Sequence, residues 1–290
     1  MKNKFCYTLF SLSLMVVLIT LWIAISENNS FNKDRAFKFV ERQLAFGPRV
    51  PGFEAHNSTV FWIIDTINDN WDVEIQSGSI HGHKIRNIIA QNCNHGEFII
   101  IGAHYDSRIY ADADKNRDKW MTPVPGANDG ASGVAVLLEL SRVIPKNIEK
   151  NIWLVFFDAE DQGNIPDWDW ILGSRYFVEN LTTSPDAVII IDMIGDQDLK
   201  IYKEYNSDVN LTDEIWSVAD SLGYKSVFVP EYKYGILDDH IPFIEKGYPS
   251  IDIIDFDYEY WHTINDTSDK VSPDSLEIVG NTLLTWLMEH

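Results

Sequence analysis

The chain has 290 residues, of which 45% are apolar, and a formal net charge of −21 at pH 7. This length and apolar content are sufficient for one large domain with its own core. The acidic balance argues against nucleic acid as a partner and against docking of the domain on anionic lipid.

The first 26 residues differ from the rest of the chain. Lys2 and Lys4 precede an uncharged apolar stretch at 5–26, which at about 1.5 Å per residue is long enough to cross a hydrocarbon core of roughly 30 Å. We expect a membrane signal-anchor that keeps the following domain outside the cytoplasm. A small-x-small pattern ends at Ser26, so a cleaved signal segment and secretion form the alternative.

After a short connector at 27–34, the catalytic domain is expected at 35–290. Its clearest signals are short, continuous apolar runs, which are typical of strands covered on both faces. Strands are predicted at 98–102, 152–157 and 187–191, and helices at 130–144, 173–180 and 212–222. The alternation predicts an α/β fold with a largely parallel sheet between layers of helices.

Carboxylate and imidazole side chains follow the ends of these apolar runs. In open α/β sheets the ligand crevice lies at the carboxyl ends of the strands, so we expect these side chains at one edge. Oxygen and imidazole ligands of this type bind zinc and can leave a catalytic position open. In chain order the set is His104, Asp129, Glu160, Asp161, Asp192 and His262.

From about residue 35 to the end, the chain resembles the zinc aminopeptidase and glutaminyl cyclase family. The resemblance implies a single α/β domain with a mixed central sheet, zinc as the cofactor and the N-termini of peptides or proteins as substrates. The segments that carry it are Glu41 to Arg49, His104-Tyr105-Asp106-Ser107, Gly126-Ala127-Asn128-Asp129-Gly130-Ala131-Ser132-Gly133, Gly173-Ser174-Arg175 and Asp238-Asp239-His240-Ile241-Pro242-Phe243.

The same resemblance implies a role for each site residue. Asp129, Asp161 and His262 would be the three zinc ligands, and Glu160, adjacent to a ligand, would be the general acid/base. Asp161 departs from the family pattern, in which many relatives carry Glu. Because Asp is one methylene shorter, we expect either that the metal lies closer to this part of the backbone or that the carboxylate binds it with altered geometry.

Two tryptophans are predicted to contact substrate. Trp261 immediately precedes the predicted metal ligand His262 and therefore lies within reach of a metal-bound substrate. Trp168 belongs to a pair with Trp170 that follows the Glu160 motif. Buried packing is the ordinary role of such side chains, and it is the alternative for this pair.

Two reactions fit this set of residues. In a glutaminyl cyclase, one zinc polarises the side-chain amide of an N-terminal glutamine, and Glu160 moves a proton from the α-amine to the leaving ammonia. Asp192 and Asp238 would then share a proton with Glu160. In an aminopeptidase, His104 and Asp192 would hold a second zinc bridged by Asp129, and Glu160 would accept a proton from the attacking water.

The residues near Asp238 favour the cyclase, which converts N-terminal glutamine to pyroglutamate. The Asp238-Asp239-His240 sequence and Trp261 both resemble the cyclase version of the family. Gly130 stands where cyclases carry a hydroxyl residue, so the dizinc aminopeptidase remains the alternative. A non-catalytic ectodomain of this family would be expected to lose Glu160 or a ligand, and none is lost here.

Overall fold

Eight strands form two sheets in the computed structural model, which describes residues 30–67 and 69–290. The strands are β1 (Asp72–Ile80), β2 (His83–Gln91), β3 (Glu97–His104), β4 (Lys150–Phe157), β5 (Ala187–Asp192), β6 (Ile201–Glu204), β7 (Phe228–Tyr234) and β8 (Ser250–Ile254). The central sheet has the order β1-β2-β4-β3-β5-β8. Strands β4, β3, β5 and β8 pair in parallel, whereas β1 and β2 pair antiparallel. The sheet is therefore mixed and largely parallel, as predicted.

Helices cover both faces of this sheet. They are α1 (Lys33–Leu44), α2 (Glu54–Thr66), α3 (Ala131–Val143), α4 (Leu172–Glu179), α5 (Val209–Ser221), α6 (Ile241–Glu245) and α7 (Pro273–Glu289). The three predicted helices correspond to α3, α4 and α5. Helix α5 begins before the predicted residue 212 because the Asp208 carboxylate accepts a hydrogen bond from Leu211 N at 2.9 Å and caps it.

The central strands are apolar throughout because they are buried on both faces. In β3, Ile99 and Ile101 belong to the large core on one face, and Phe98 and Ile100 belong to the smaller core on the other face. Successive side chains of a strand point to opposite faces. A strand between two helical layers therefore needs apolar residues at every position.

The parallel register brings the predicted site residues to one edge. His104, the last residue of β3, is directly opposite Phe157, the last residue of β4. Asp192 ends β5, and Glu160 and Asp161 follow β4 after a two-residue turn. The expectation that these side chains meet at the carboxyl edge is confirmed.

The predicted signal-anchor at 1–26 lies outside the described residues. Within residues 30–67 and 69–290, no helix has both the length and the apolar character needed to cross a bilayer. Helix α1 begins at Lys33 and is capped by Asn32, so the last two residues of the predicted connector at 27–34 are already helical.

Candidate active site

The loop before α3 holds Asp129 in a fixed position. The Asp266 carboxylate accepts hydrogen bonds from Asn128 N at 2.8 Å and from Asp129 N at 3.2 Å. The buried guanidinium of Arg49 donates to Gly126 O at 2.6 Å and to Tyr105 O at 2.9 Å. The loop is thus fixed by a carboxylate that binds its N–H groups and a guanidinium that binds its carbonyls.

Gly130, the departure from the cyclase pattern, is required by the backbone. Its φ is +90°, a conformation that L side chains rarely adopt. A Cβ atom at this position would lie 2.6 Å from Asp106 O and 3.1 Å from His104 Cε1. The path of this loop therefore excludes a hydroxyl residue unless the surrounding backbone shifts.

Asp106 shapes the turn that presents Glu160 and Asp161. Its carboxylate accepts from Glu160 N at 3.0 Å, Asp161 N at 3.2 Å and Gln162 Nε2 at 3.0 Å. Ala159 before them has a φ of +51°, which ends the strand sharply. Two neighbouring carboxylates are thereby held beyond the carboxyl end of β4 without forming a hydrogen bond to each other.

Asp129, Asp161 and His262 form a buried cluster whose ligand atoms lie within 4.8 Å of one another. His262 Nε2 lies 2.8 Å from Asp161 Oδ1 and 3.8 Å from Asp129 Oδ2, but neither approach has hydrogen-bond geometry. Within the described part of the chain, both Asp161 oxygens, Asp129 Oδ2 and His262 Nε2 have no hydrogen-bond partner. Two carboxylates and one imidazole of this kind fit a zinc ion with an open position.

His104 lies on the other side of Asp129, and its surroundings differ. His104 Nε2 is 3.1 Å from Asp192 Oδ1 and 3.2 Å from Asp129 Oδ1, and its Nδ1 is 3.3 Å from Asp106 Oδ1. Asp192 Oδ1 also accepts from Met193 N at 2.7 Å. The ligand atoms of His104, Asp129 and Asp192 could hold an ion, but here both ring nitrogens of the histidine have protein partners.

The site concentrates buried acids, and burial raises the pKa of Glu160 and Asp192 among them. Burial, together with the charges of Asp161 and Asp238, raises the pKa of Glu160 well above its usual range. Burial and the Asp238 charge raise the pKa of Asp192 to about 7, although His104 opposes the shift. Burial opposes the charge on His262, but Asp161 and other carboxylates raise its pKa to about 9. A cation in the cluster would relieve this repulsion.

A cavity of about 240 Å³ opens above these residues. Its polar floor contains Glu160, Asp192 and Asp238, and its walls are largely aromatic and aliphatic. The wall residues are Trp170, Met193, Tyr234, Ile236, Leu237, Ile254, Phe256 and Trp261. This combination suits a ligand with a polar reacting end and an apolar body.

Trp261 is where the sequence predicts it, but Trp168 is not part of the cavity. The Trp261 ring stacks on His262 with a centroid distance of 3.8 Å. The Trp168 ring instead stacks on His83 at 3.6 Å, in the β1–β2 turn. Trp170 takes the predicted place in the wall and lies parallel to the His262 ring at 6.0 Å. The second tryptophan of the pair, and not the first, therefore lines the cavity.

Behind Asp238 lies a buried polar group that was not predicted. His240 Nε2 is 3.3 Å from Glu204 Oε2, and its Nδ1 is 3.8 Å from Asp252 Oδ2. Burial and the charge of Asp238 raise the pKa of Asp252 well above its usual range. One sequence signal was available, because Asp252 interrupts the apolar run of β8 at Ile251-Asp252-Ile253. Arg49, Asp106 and Asp266 carry no comparable signal outside their motifs.

Comparison with known proteins identifies the family. Residues 87–287 match the model described as peptidase family M28. The chain belongs to this family. Its fold matches the crystal structure of Porphyromonas gingivalis glutaminyl cyclase with a TM-score of 0.85, 34% identity and coverage of 90% of this chain and 99% of that one.

The similar proteins include both aminopeptidases and glutaminyl cyclases. A leucine aminopeptidase precursor from Bacteroides thetaiotaomicron is 32% identical with a TM-score of 0.85, and the match covers 91% of this chain and 99% of that one. The glutaminyl-peptide cyclotransferase of Drosophila melanogaster is 25% identical over an alignment 280 residues long, which covers 80% of this chain and 75% of that protein. The predicted family and fold are confirmed. This M28 chain is a zinc-dependent enzyme, and its relatives represent both of the predicted reactions.

Proposed function

We propose that the protein is a glutaminyl-peptide cyclotransferase that uses one zinc ion. The observation that carries the proposal is the contrast between the two histidine clusters. Around His262, four buried ligand atoms lack any partner within the described residues, whereas His104 and Asp192 bind each other and their neighbours.

The energetic cost of unpaired polar atoms supports one metal. A buried polar atom without a partner costs about 1–3 kcal/mol. Zinc at Asp129, Asp161 and His262 would satisfy all four such atoms. A second ion at His104 Nε2 would instead have to replace the contact of this nitrogen with Asp192 at 3.1 Å, whereas the contact of Nδ1 with Asp106 at 3.3 Å could remain. The site therefore fits one ion better than two.

The reaction closes a ring within the substrate. The α-amine of an N-terminal glutamine attacks its own side-chain amide carbon, the new C–N bond closes pyroglutamate, and the amide nitrogen leaves as ammonia. Zinc, when bound, polarises the amide carbonyl as a Lewis acid. Glu160, whose pKa is raised by burial and by neighbouring carboxylates, takes the proton from the attacking amine and delivers it to the leaving nitrogen.

Asp192 and Asp238 support Glu160 from the cavity floor. Burial and the charge of Asp238 raise the pKa of Asp192 to about 7. A shared proton keeps Glu160 able both to accept and to donate. Trp170 and Trp261 flank the metal ligand His262 and would enclose the aliphatic part of the glutamine side chain.

Mass spectrometry of a glutamine-initiated peptide tests this proposal. Cyclisation lowers the peptide mass by one ammonia and keeps every residue, and zinc analysis of the purified protein should give about one ion per chain. Removal of whole residues without any loss of ammonia would contradict the cyclase assignment.

The second candidate is a dizinc aminopeptidase. It is favoured by the second group of ligand atoms at His104, Asp129 and Asp192 and by the similarity to the Bacteroides thetaiotaomicron aminopeptidase precursor. In that case about two zinc ions per chain and release of free N-terminal amino acids are expected. Peptides with N-terminal leucine and glutamine distinguish the two reactions in one assay.

We also propose that the segment at 1–26 places this domain outside the cytoplasm, as a membrane anchor or as a cleaved signal. The basic residues before an apolar stretch of this length support an anchor. Fractionation of cells that express the full chain, followed by N-terminal sequencing, separates the two alternatives.

A further inference from the structure

The outer wall of the cavity is a row of aromatic rings from two different parts of the chain. Tyr234, the last residue of β7, contacts Phe256 with a centroid distance of 5.4 Å, and Phe256 contacts Trp261 at 5.6 Å. Phe256 is 39% exposed and Leu237 is 51% exposed. This wall therefore presents apolar surface to solvent at the mouth of the cavity.

Asp257 joins these two parts of the chain. Its Oδ1 accepts a hydrogen bond from Tyr234 Oη at 2.5 Å, and its Oδ2 accepts from Lys233 Nζ at 2.5 Å. Asp257 directly follows Phe256, whereas Lys233 and Tyr234 end β7. We name this group of three residues, Lys233, Tyr234 and Asp257, the clasp.

The clasp fixes Phe256 and also removes a charge from the mouth. Phe256 lies on a loop without regular secondary structure, so its ring needs a tether to keep its contact with Tyr234. Lys233 neutralises Asp257, and its Nζ lies 4.4 Å from the centre of the Tyr202 ring. The lip of the cavity is consequently apolar and neutral, although the domain is strongly acidic.

The metal ligand on the same loop is held by other contacts. Ala113 N donates to His262 O at 3.2 Å. Tyr258 Oη donates to Asp266 Oδ1 at 2.7 Å, and Trp261 N donates to Tyr258 O at 3.3 Å. Loss of the clasp should therefore free Phe256 while His262 keeps its position.

We propose that Asp257 is a positioning residue that holds Phe256 against the side chain of the second residue of the substrate, and that this makes the enzyme select peptides with a large apolar second residue. The proposal rests on the proposed function, in which the first residue lies over Glu160 and His262. The second residue then lies at the mouth, beside Leu237 and Phe256.

Calorimetric binding to a turnover-blocked enzyme tests the proposal. In a zinc-loaded Glu160→Gln background, the amides of Gln-Phe and Gln-Gly are titrated, and the ratio of their dissociation constants is the readout. Burial of the phenylalanine ring should make Gln-Phe amide bind roughly tenfold more tightly. Adding Asp257→Asn should reduce the ratio to about twofold or less, and Tyr234→Phe should give an intermediate ratio.

Glu259→Gln is the matched control, because Glu259 lies on the same loop and forms an exposed ion pair with Lys115. It should leave the ratio unchanged. The role of the clasp is overturned if Asp257→Asn leaves the ratio of dissociation constants unchanged, or if this ratio is near one in the Glu160→Gln parent. In both cases peptide binding itself would still support the proposed function. An equal weakening of both peptides by Asp257→Asn also overturns the role of the clasp. If neither peptide binds in any variant, the proposed function fails together with the clasp.

Discussion

His262 and His104 lie on opposite sides of Asp129, and each faces a second carboxylate. They differ in whether their ring nitrogens nearest Asp129 form hydrogen bonds. His262 Nε2 comes within 2.8 Å of Asp161 Oδ1 without a hydrogen bond. Both nitrogens of His104 have carboxylate partners, at 3.1 Å for Asp192 and 3.3 Å for Asp106.

This difference shows that the identity of the ligand residues alone does not determine how many metal ions a site binds. Each cluster has two carboxylates and one imidazole within 4.8 Å, so both contain the same ligands. Only the hydrogen bonds distinguish them, since a donor set that is already satisfied gains less from an ion than one that is not. The predictions below test this contrast, beginning with the largest expected effect.

A pair of histidine variants tests the contrast directly. His262→Ala should lose nearly all zinc and activity because it removes the only imidazole from the unsatisfied cluster. His104→Gln should keep about one zinc per chain, as measured by elemental analysis after dialysis. If His104→Gln instead halves the metal content of a two-zinc protein, the two clusters are equivalent and the aminopeptidase gains support.

Glu160→Gln separates the metal from the chemistry. Glutamine has the same size but cannot accept a proton, so turnover of a glutamine peptide should fall by about 10²–10⁴-fold. Zinc content should match that of the wild type because Glu160 is not among the cluster ligands. A variant that turns over at near-normal rate would show that another group moves the proton.

Asp238→Asn tests the floor of the cavity next to the His104 cluster. Because Asp238 supports Glu160 without being a proposed ligand, the loss of activity should be smaller, about tenfold to a hundredfold. The pH profile of turnover should shift as well, since Asp238 raises the pKa of both Glu160 and Asp192. Loss of zinc in this variant would show that Asp238 contributes to metal binding rather than to the proton network.

The smallest effect is expected at Asp252, behind the floor. Burial and the charges of Asp238, Asp192 and Glu204 raise its pKa well above the usual value. The folded protein therefore keeps a proton that the unfolded chain loses above about pH 4, so this residue reduces the free energy of unfolding as pH rises toward its folded pKa. His240 faces Asp252, with its Nδ1 3.8 Å from Asp252 Oδ2.

Asp252→Asn removes this titration. In metal-free protein, the variant should nearly match the wild type at about pH 4, where the unfolded chain also keeps much of its proton, and should melt higher near pH 8, by roughly a few degrees. Thermal unfolding at both pH values measures the difference. A variant that melts lower than the wild type at pH 8 would show that Asp252 is ionised in the folded state and paired with His240.

The sequence by itself determined the fold class and the edge where the site lies. Continuous apolar runs specify strands buried on both faces, and parallel strands must end together, so His104, Asp161 and Asp192 had to meet. These features depend on which neighbouring residues are apolar, and this can be read directly from the sequence.

Only the tertiary structure decided how those side chains are satisfied. Trp170 rather than Trp168 lines the cavity, and left-handed residues lie on both sides of this pair, with φ of +72° at Asp167 and +56° at Ile171. Arg49 and Asp266 hold the Asp129 loop from distant parts of the chain. Such contacts join residues far apart in sequence and depend on angles as well as composition, so no local pattern encodes them.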